Sequence, residues 1–237
     1  PACTTCSRPR ILRLQARLRQ FGIDLSSAYC FFLMQRAEWW MQLTFWCISF
    51  PDGSSLTGWF INPRLVFGGA FGPNRFGRFS RMKRARGFQR QRQFDEECPL
   101  PAKVQTVLRE RATLQRAGLL PAGADQLAAA SLQAFIDDET GSGLMDLVPM
   151  PSYINTTDPS RPRFIDVAAF LAATTAAGGR AAPADSRLVV YCCLSIDTAL
   201  ALELEVAADK TRCGDRIVVL GLLCDMLGSF RSEGPTA

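Results

Sequence analysis

The sequence predicts an α+β fold in which an antiparallel sheet packs on helices, and three observations carry that reading. Residues 38–67 hold two runs rich in aromatic and β-branched residues, EWWMQLTFWCISF and LTGWFINPRLVF, on either side of Pro51, Asp52, Gly53 and Ser54. That composition favours strands and that tetrad favours a turn, so a β-hairpin is expected. Residues 133–143, QAFIDDETGSG, run from Phe135 and Ile136 into two adjacent carboxylates and then into Glu139, Thr140, Gly141, Ser142 and Gly143. This reads as the first strand and the bend of a second hairpin. Helical character appears in segments opening at Pro73 and spanning residues 102–117, 167–177 and 188–206.

At 237 residues the chain fits one or two domains and can bury a sizeable core. Its 48% hydrophobic and 21% charged residues are ordinary for a globular protein. The net charge of +5 is unevenly spread: of 27 basic residues, eight lie between Arg75 and Arg92 with no acid among them. The remaining 19 face 22 acidic residues, so a mildly acidic body carries one basic stripe, the footprint of a polyanion contact. The nine cysteines are odd in number and irregularly spaced, several within apolar runs, which points to an intracellular, reducing compartment (nucleus or cytoplasm) without a disulfide framework. The absence of His excludes His-dependent catalysis and a Cys/His zinc finger within these residues. No uncharged run approaches the ~20 residues of a membrane span, so no membrane partner is expected. The opening at Pro1, without an initiator Met, reads as a fragment or as a gene product missing its start.

Taken in order, Cys3 and Cys6 have CxxC spacing, but a structural zinc site needs about four ligands and no second pair exists; a plain terminus is the simpler reading. ILRLQARL, residues 11–18, suits a short helix or a strand. FGIDLSSAYCFF, residues 21–32, leads an apolar approach to one buried-looking acid, Asp24. Trp39 and Trp40 read as core or sheet surface before they read as a stacking platform. In FGGAFGPNRFGRFSR, residues 67–81, Pro73 suits a first helical turn and Phe76 and Phe79 share a face. Arg75, Arg78, Arg81 and Arg84 line one side of that helix, as a solvated face or as a contact to a nucleic-acid backbone. FDEECPLP, residues 94–101, breaks the pattern, and residues 144–163 read as an irregular surface connection. Cys192 and Cys193 fall on the buried face of the last helix. Lys210 follows that helix, residues 216–220 form a strand, and residues 221–225 a turn or second strand.

The pair Asp137 and Asp138 carries the chemistry. Neighbouring strand residues point to opposite faces, so both carboxylates reach one site only at a bend. Two carboxylates so held repel each other, and a divalent cation is their natural partner; the plainer alternative is a solvated acidic turn.

In order along the chain, these segments resemble the palm of retroelement reverse transcriptases, DIRS-like elements among them. IDLSSAY, residues 23–29, is similar to the first palm motif, with Asp24 and, five positions on, Tyr29. Phe67, Gly68 and Pro73 are similar to the next motif, an FG pair before a helix start. FIDD resembles the aromatic-x-Asp-Asp motif, with Phe135 in place of the commoner Tyr. ADKT, residues 208–211, and VVLGLLCD, residues 218–225, resemble the lysine motif and the primer-gripping hairpin.

The resemblance implies a polymerase right-hand palm with partial fingers, acting in template-directed DNA synthesis by two-metal nucleotidyl transfer. It implies Asp24 and Asp137 as ligands of Mg2+ (or Mn2+), with Asp138 a supporting carboxylate. Tyr29 would sit under the sugar and disfavour a 2′-hydroxyl. Phe67, Gly68 and Gly69 would line the nucleotide pocket, Ile136 would lie beside the primer terminus, and Lys210 would serve the leaving pyrophosphate. The helix with Arg75, Arg78, Arg81 and Arg84 would face the template strand. The partners implied are an RNA or DNA template-primer and deoxynucleoside triphosphates.

The sequence departs from the family's pattern in four places. Residues 86–132 and 144–187 look like insertions in a palm over residues 21–228. Residues 1–20 stand where a fingers segment would precede Asp24. Residues 229–237 are a tail that leaves no room for a thumb. The alternative function is a catalytically inactive, degenerate palm acting as a nucleic-acid-binding module.

Overall fold

β1 (Leu18–Asp24) is the strand around which the protein assembles. The computed structural model describes residues 18–26, 33, 36–37, 39, 43–64, 72–118, 131–135, 138–219 and 222–225. Within them the fold is mixed α+β. After β1 come β2 (Leu43–Ser49), β3 (Ser55–Ile61), α1 (Gly72–Glu97), α2 (Ala102–Arg116), β4 (Ser131–Phe135) and β5 (Asp138–Leu144). Then follow α3 (Val167–Ala176), α4 (Arg187–Leu200), β6 (Arg212–Gly214), β7 (Arg216–Val219) and β8 (Leu222–Asp225). A four-stranded antiparallel sheet has the order β4-β5-β1-β6, while β2–β3 and β7–β8 are separate hairpins.

The register sorts residues onto two faces, because directly opposed residues of an antiparallel pair project the same way. Ile23 opposes Glu139 and Phe21 opposes Gly141, and all four are buried. The next pairs in the alternation are Asp24 with Asp138, Gly22 with Thr140, and Gln20 with Ser142. Asp138, Thr140 and Ser142 are only half-buried. One face is therefore covered by helices, while the other carries half-buried polar residues toward Asp24 and Asp138 and is closed at its far end, where Leu144 is buried against Val104 of α2.

This arrangement corrects the expected bend over residues 139–143, which belong to β5. The glycines there serve packing. A Cβ on Gly141 would fall 2.2 Å from the Phe21 ring, and one on Gly143 would fall 2.8 Å from Tyr191. Glycine lets the aromatic rings of β1 and α4 lie directly on the strand.

α4 is buried along nearly its whole length, from Arg187 to Ala199: Leu188 to Leu194 is an unbroken apolar run, and the polar Arg187, Ser195, Asp197 and Thr198 are buried with it. Ser186 caps it, accepting from the Val189 amide. Helix ends at Leu200, short of the expected residue 206; Val206 instead bridges to Leu25. α1 runs through the expected break at Phe94 to Glu97. Phe94 is core and meets Tyr191 edge-on at 6.3 Å. The buried stripe of α1 is Phe76, Ser80, Lys83, Gln91 and Phe94, a helical spacing hidden by its polar members.

Arg187 joins the start of α4 to the end of α1 and to the chain after β5. Its guanidinium is fully buried and donates to Asp95 at 2.6 Å, to both oxygens of Asp146 at 3.1 and 3.0 Å, and to the Cys98 carbonyl at 2.9 Å. Tyr191 donates its hydroxyl to Asp95 at 2.6 Å, and burial raises that hydroxyl far above its ordinary range. Past Leu144, which closes β5, the expected connection to residue 163 is irregular, but it is not confined to the surface: Val148 and Ile154 enter the core.

The β2–β3 hairpin forms as expected, with Gly53 at φ +83° in its turn. Both of its faces meet solvent: Trp46 is 54% and Trp59 66% exposed. Trp39 lies before the strand, packed against the cluster of Leu25, Phe76 and Leu204. No helix among the described residues is long and apolar enough to cross a membrane.

Candidate functional site

The candidate site is the end of the sheet where Asp24 closes β1 and Asp138 opens β5. The two residues are direct cross-strand partners, so their carboxylates share the open face with backbones about 4.5–5.5 Å apart. Like charges directly opposed are destabilising, and the fold supplies a cation: Lys210 Nζ stands 2.7 Å from Asp24 Oδ2. Lys210 is 63% exposed and Asp24 20%. Lys210 sits in a turn held against the end of β1, where the Ala207 amide donates to the Asp24 carbonyl at 3.0 Å and the Ser26 amide to the Glu205 carbonyl at 2.9 Å.

Phe135 is the ladder partner of Asp138, so Ile136 and Asp137 fall in the connection between β4 and β5. Ile136, Asp137, Tyr29, Phe67, Gly68 and Gly69 lie outside the described residues. Of the proposed metal set, Asp24 and Asp138 are thus brought together. Among the described residues no three Cys, Asp or Glu side chains form a metal-holding group. The donors present are carboxylate oxygens, the chemistry a hard cation such as Mg2+ selects, and Mg2+ keeps several waters, so few protein ligands are needed.

α1 begins beside this site. Phe76 packs with Leu25, the residue after Asp24, and Lys83 pairs with Glu139, the residue after Asp138, at 3.0 Å. Arg78 and Arg81 are exposed on the first half of the helix and Arg84 is half-buried. Arg81 caps the Gly77 carbonyl through Nε at 3.1 Å. Arg75 is in the first turn, its side chain outside the described residues. Not all of the basic stripe faces outward. Lys83 and Arg90 turn inward to Glu139 and Asp197, acids that sequence distance hid from a charge count.

Sequence reasoning missed the Lys83–Glu139 pair, both side chains only 3% exposed. The signal that could have found it is the alternation Asp138, Thr140, Ser142 against Glu139, Gly141, Gly143, a period of two. Cys192 and Cys193 are buried as expected, and burial pushes both thiols well above their ordinary range, which makes them poor nucleophiles. A groove of about 540 Å3 between α2 and the far end of β5, lined by Pro101, Val104, Leu144 and Met145, lies roughly 20 Å along the sheet from Asp24. It takes no part in the site.

No protein-family model matches the chain, and no curated protein matches it.

Proposed function

We propose that the chain is a reverse-transcriptase-like palm domain, which joins deoxynucleoside triphosphates to a primer 3′-hydroxyl under the direction of a template. The observation that carries this reading is the direct opposition of Asp24 and Asp138 on the open face of the β4-β5-β1-β6 sheet. It gives the motif order of the sequence a physical meaning: the first-motif strand lies beside the hairpin whose connection holds Asp137.

Asp24 and Asp137 would hold Mg2+, or Mn2+ in its place, with Asp138 in support. When bound, the metal supplies Lewis-acid charge for an in-line displacement at phosphorus. The chain's own residues do the rest. The polar face keeps negative charge beside solvent. Lys210 places an ammonium within reach of a leaving pyrophosphate. Arg78 and Arg81 offer guanidiniums to the template backbone; the resemblance assigns the nucleotide pocket to Tyr29, Phe67, Gly68, Gly69 and Ile136, which lie outside the described residues.

The test is primer extension on RNA and DNA templates with Mg2+ or Mn2+, comparing the natural chain with Asp24→Asn and Asp137→Asn. The expected result is extension by the natural chain and background activity in both variants. Extension that survives both changes would overturn the reading. A second reading, a nucleic-acid-binding module without turnover, is favoured by the exposure of Arg78 and Arg81, which act independently of the carboxylates. Binding that persists in Asp137→Asn, with no extension by any form, is its signature.

A further inference from the structure

We infer that Lys210 is a built-in counter-cation that holds the place of a divalent metal at Asp24 and yields it when metal arrives. The inference rests on the palm reading, since it takes Asp24 as a metal ligand with Asp138 in support.

Asp24 and Asp138 oppose each other on one face, so this end of the sheet needs a cation whether or not a metal is bound. Lys210 Nζ meets that need, 2.7 Å from Asp24 Oδ2. An ammonium and a divalent ion cannot both contact that oxygen without strong mutual repulsion, so the two compete.

The way Lys210 is mounted suits exchange. Its backbone is tied down: Lys210 and Thr211 amides donate to the Ala207 carbonyl at 3.1 and 3.0 Å, and the Ala207 amide donates to the Asp24 carbonyl. The Thr211 hydroxyl adds a 3.0 Å bond to the same Ala207 carbonyl. Its side chain, by contrast, is 63% exposed and swings at little cost. Lys83 shows the opposite design: its pair with Glu139 is sealed from solvent and cannot exchange.

Displacement does not send the ammonium away. The backbone bond between Ala207 and Asp24 keeps Lys210 within a side-chain length of anything bound at Asp24. A metal that arrives with a polyphosphate therefore hands the lysine a new anion as it takes the old one. The ligand this corner fits is a divalent cation carrying a phosphate anion, the cation meeting the carboxylates and the anion meeting the lysine.

The experiment is a titration of the protein with Mn2+ alone, following free Mn2+ by electron paramagnetic resonance, with melting temperatures recorded in parallel. The natural chain is compared with Lys210→Met, Lys210→Arg and Asp24→Asn. Lys210→Met should bind Mn2+ about two- to fivefold more tightly, the scale set by losing an exposed ion pair. Lys210→Arg should stay near the natural value and Asp24→Asn should lose binding. Acylation of Lys210 by an amine reagent, read by mass spectrometry, should quicken when Mn2+ is added. If Asp24→Asn loses Mn2+ while Lys210→Met binds no more tightly, the counter-cation role fails and the metal reading stands. If Mn2+ binding is the same in Asp24→Asn as in the natural chain, the metal reading fails and this inference with it.

Discussion

Glu139 and Asp138 are adjacent in the chain and lie on opposite faces of β5, and each face has its own lysine–carboxylate pair. On the covered face Lys83 and Glu139 meet at 3.0 Å, each 3% exposed. On the open face Lys210 and Asp24 meet at 2.7 Å, 63% and 20% exposed. The chemistry and the distances are nearly the same, and burial alone separates the roles. A sealed pair fixes α1 to the sheet, because removing either partner strands a charge away from water. An exposed pair contributes little to stability and leaves its carboxylate available to a competitor. A charge census of the sequence weighs all four residues equally; the alternation of one strand tells them apart.

The comparison can be broken most forcefully from the covered side. Lys83→Met should cost about 3–5 kcal/mol in urea unfolding, since Glu139 is left buried without its cation. Adding Glu139→Leu should return most of that loss. A cost below about 1 kcal/mol for Lys83→Met would show that the pair is not sealed. The next effect is steric. Gly141→Ala should cost about 1–3 kcal/mol, because its Cβ would fall 2.2 Å from the fully buried Phe21 ring. Its neighbour on the open face, Ser142→Ala, should stay within about 0.5 kcal/mol. Equal costs would mean that the two faces are not differently packed. Lys210→Met, without metal, should change stability by less than about 1 kcal/mol, the range of exposed pairs. Smallest in stability, and sharpest in function, are Arg78→Gln and Arg81→Gln. Both should leave unfolding unchanged while each lowers the salt slope of nucleic-acid binding by about 0.7–0.9. An unchanged slope would remove this side of α1 from the interface.

Much of the architecture was legible because it depends on local pattern. The β2–β3 hairpin follows from aromatic and β-branched runs around a Pro-Asp-Gly-Ser turn, and α2 and α3 stand within a residue of their expected bounds. The strand leading to Asp24 and the hairpin holding Asp138 also appeared in the sequence, through their apolar approaches. Three features did not. The glycines of β5 imitate a turn, since nothing local distinguishes a glycine that bends the chain from one that admits a ring from elsewhere. The inner stripe of α1 contains Ser80, Lys83 and Gln91, so the hydrophobic period that marks a helix face vanishes past Phe79. Arg187 finds Asp146 and Asp95 at separations of 41 and 92 residues, which no spacing rule anticipates. In each case the missing information is the identity of the partner across the fold.

The β2–β3 hairpin marks the other limit of local reading. Its register is regular and its Phe45–Trp59 pair meets edge-on at 5.4 Å, yet its large apolar side chains stay exposed. Strand composition specified the ladder without specifying a covering layer.

The central claim is that Asp24, with Asp138 opposed to it on the same face of the sheet, belongs to the proposed divalent-metal site. Anomalous diffraction from crystals of the protein soaked in Mn2+ tests it most directly. The account predicts a Mn2+ peak about 2.1 Å from a carboxylate oxygen of Asp24, with the Lys210 ammonium moved off that oxygen. A peak elsewhere, or none, with Lys210 still 2.7 Å from Asp24, would contradict it.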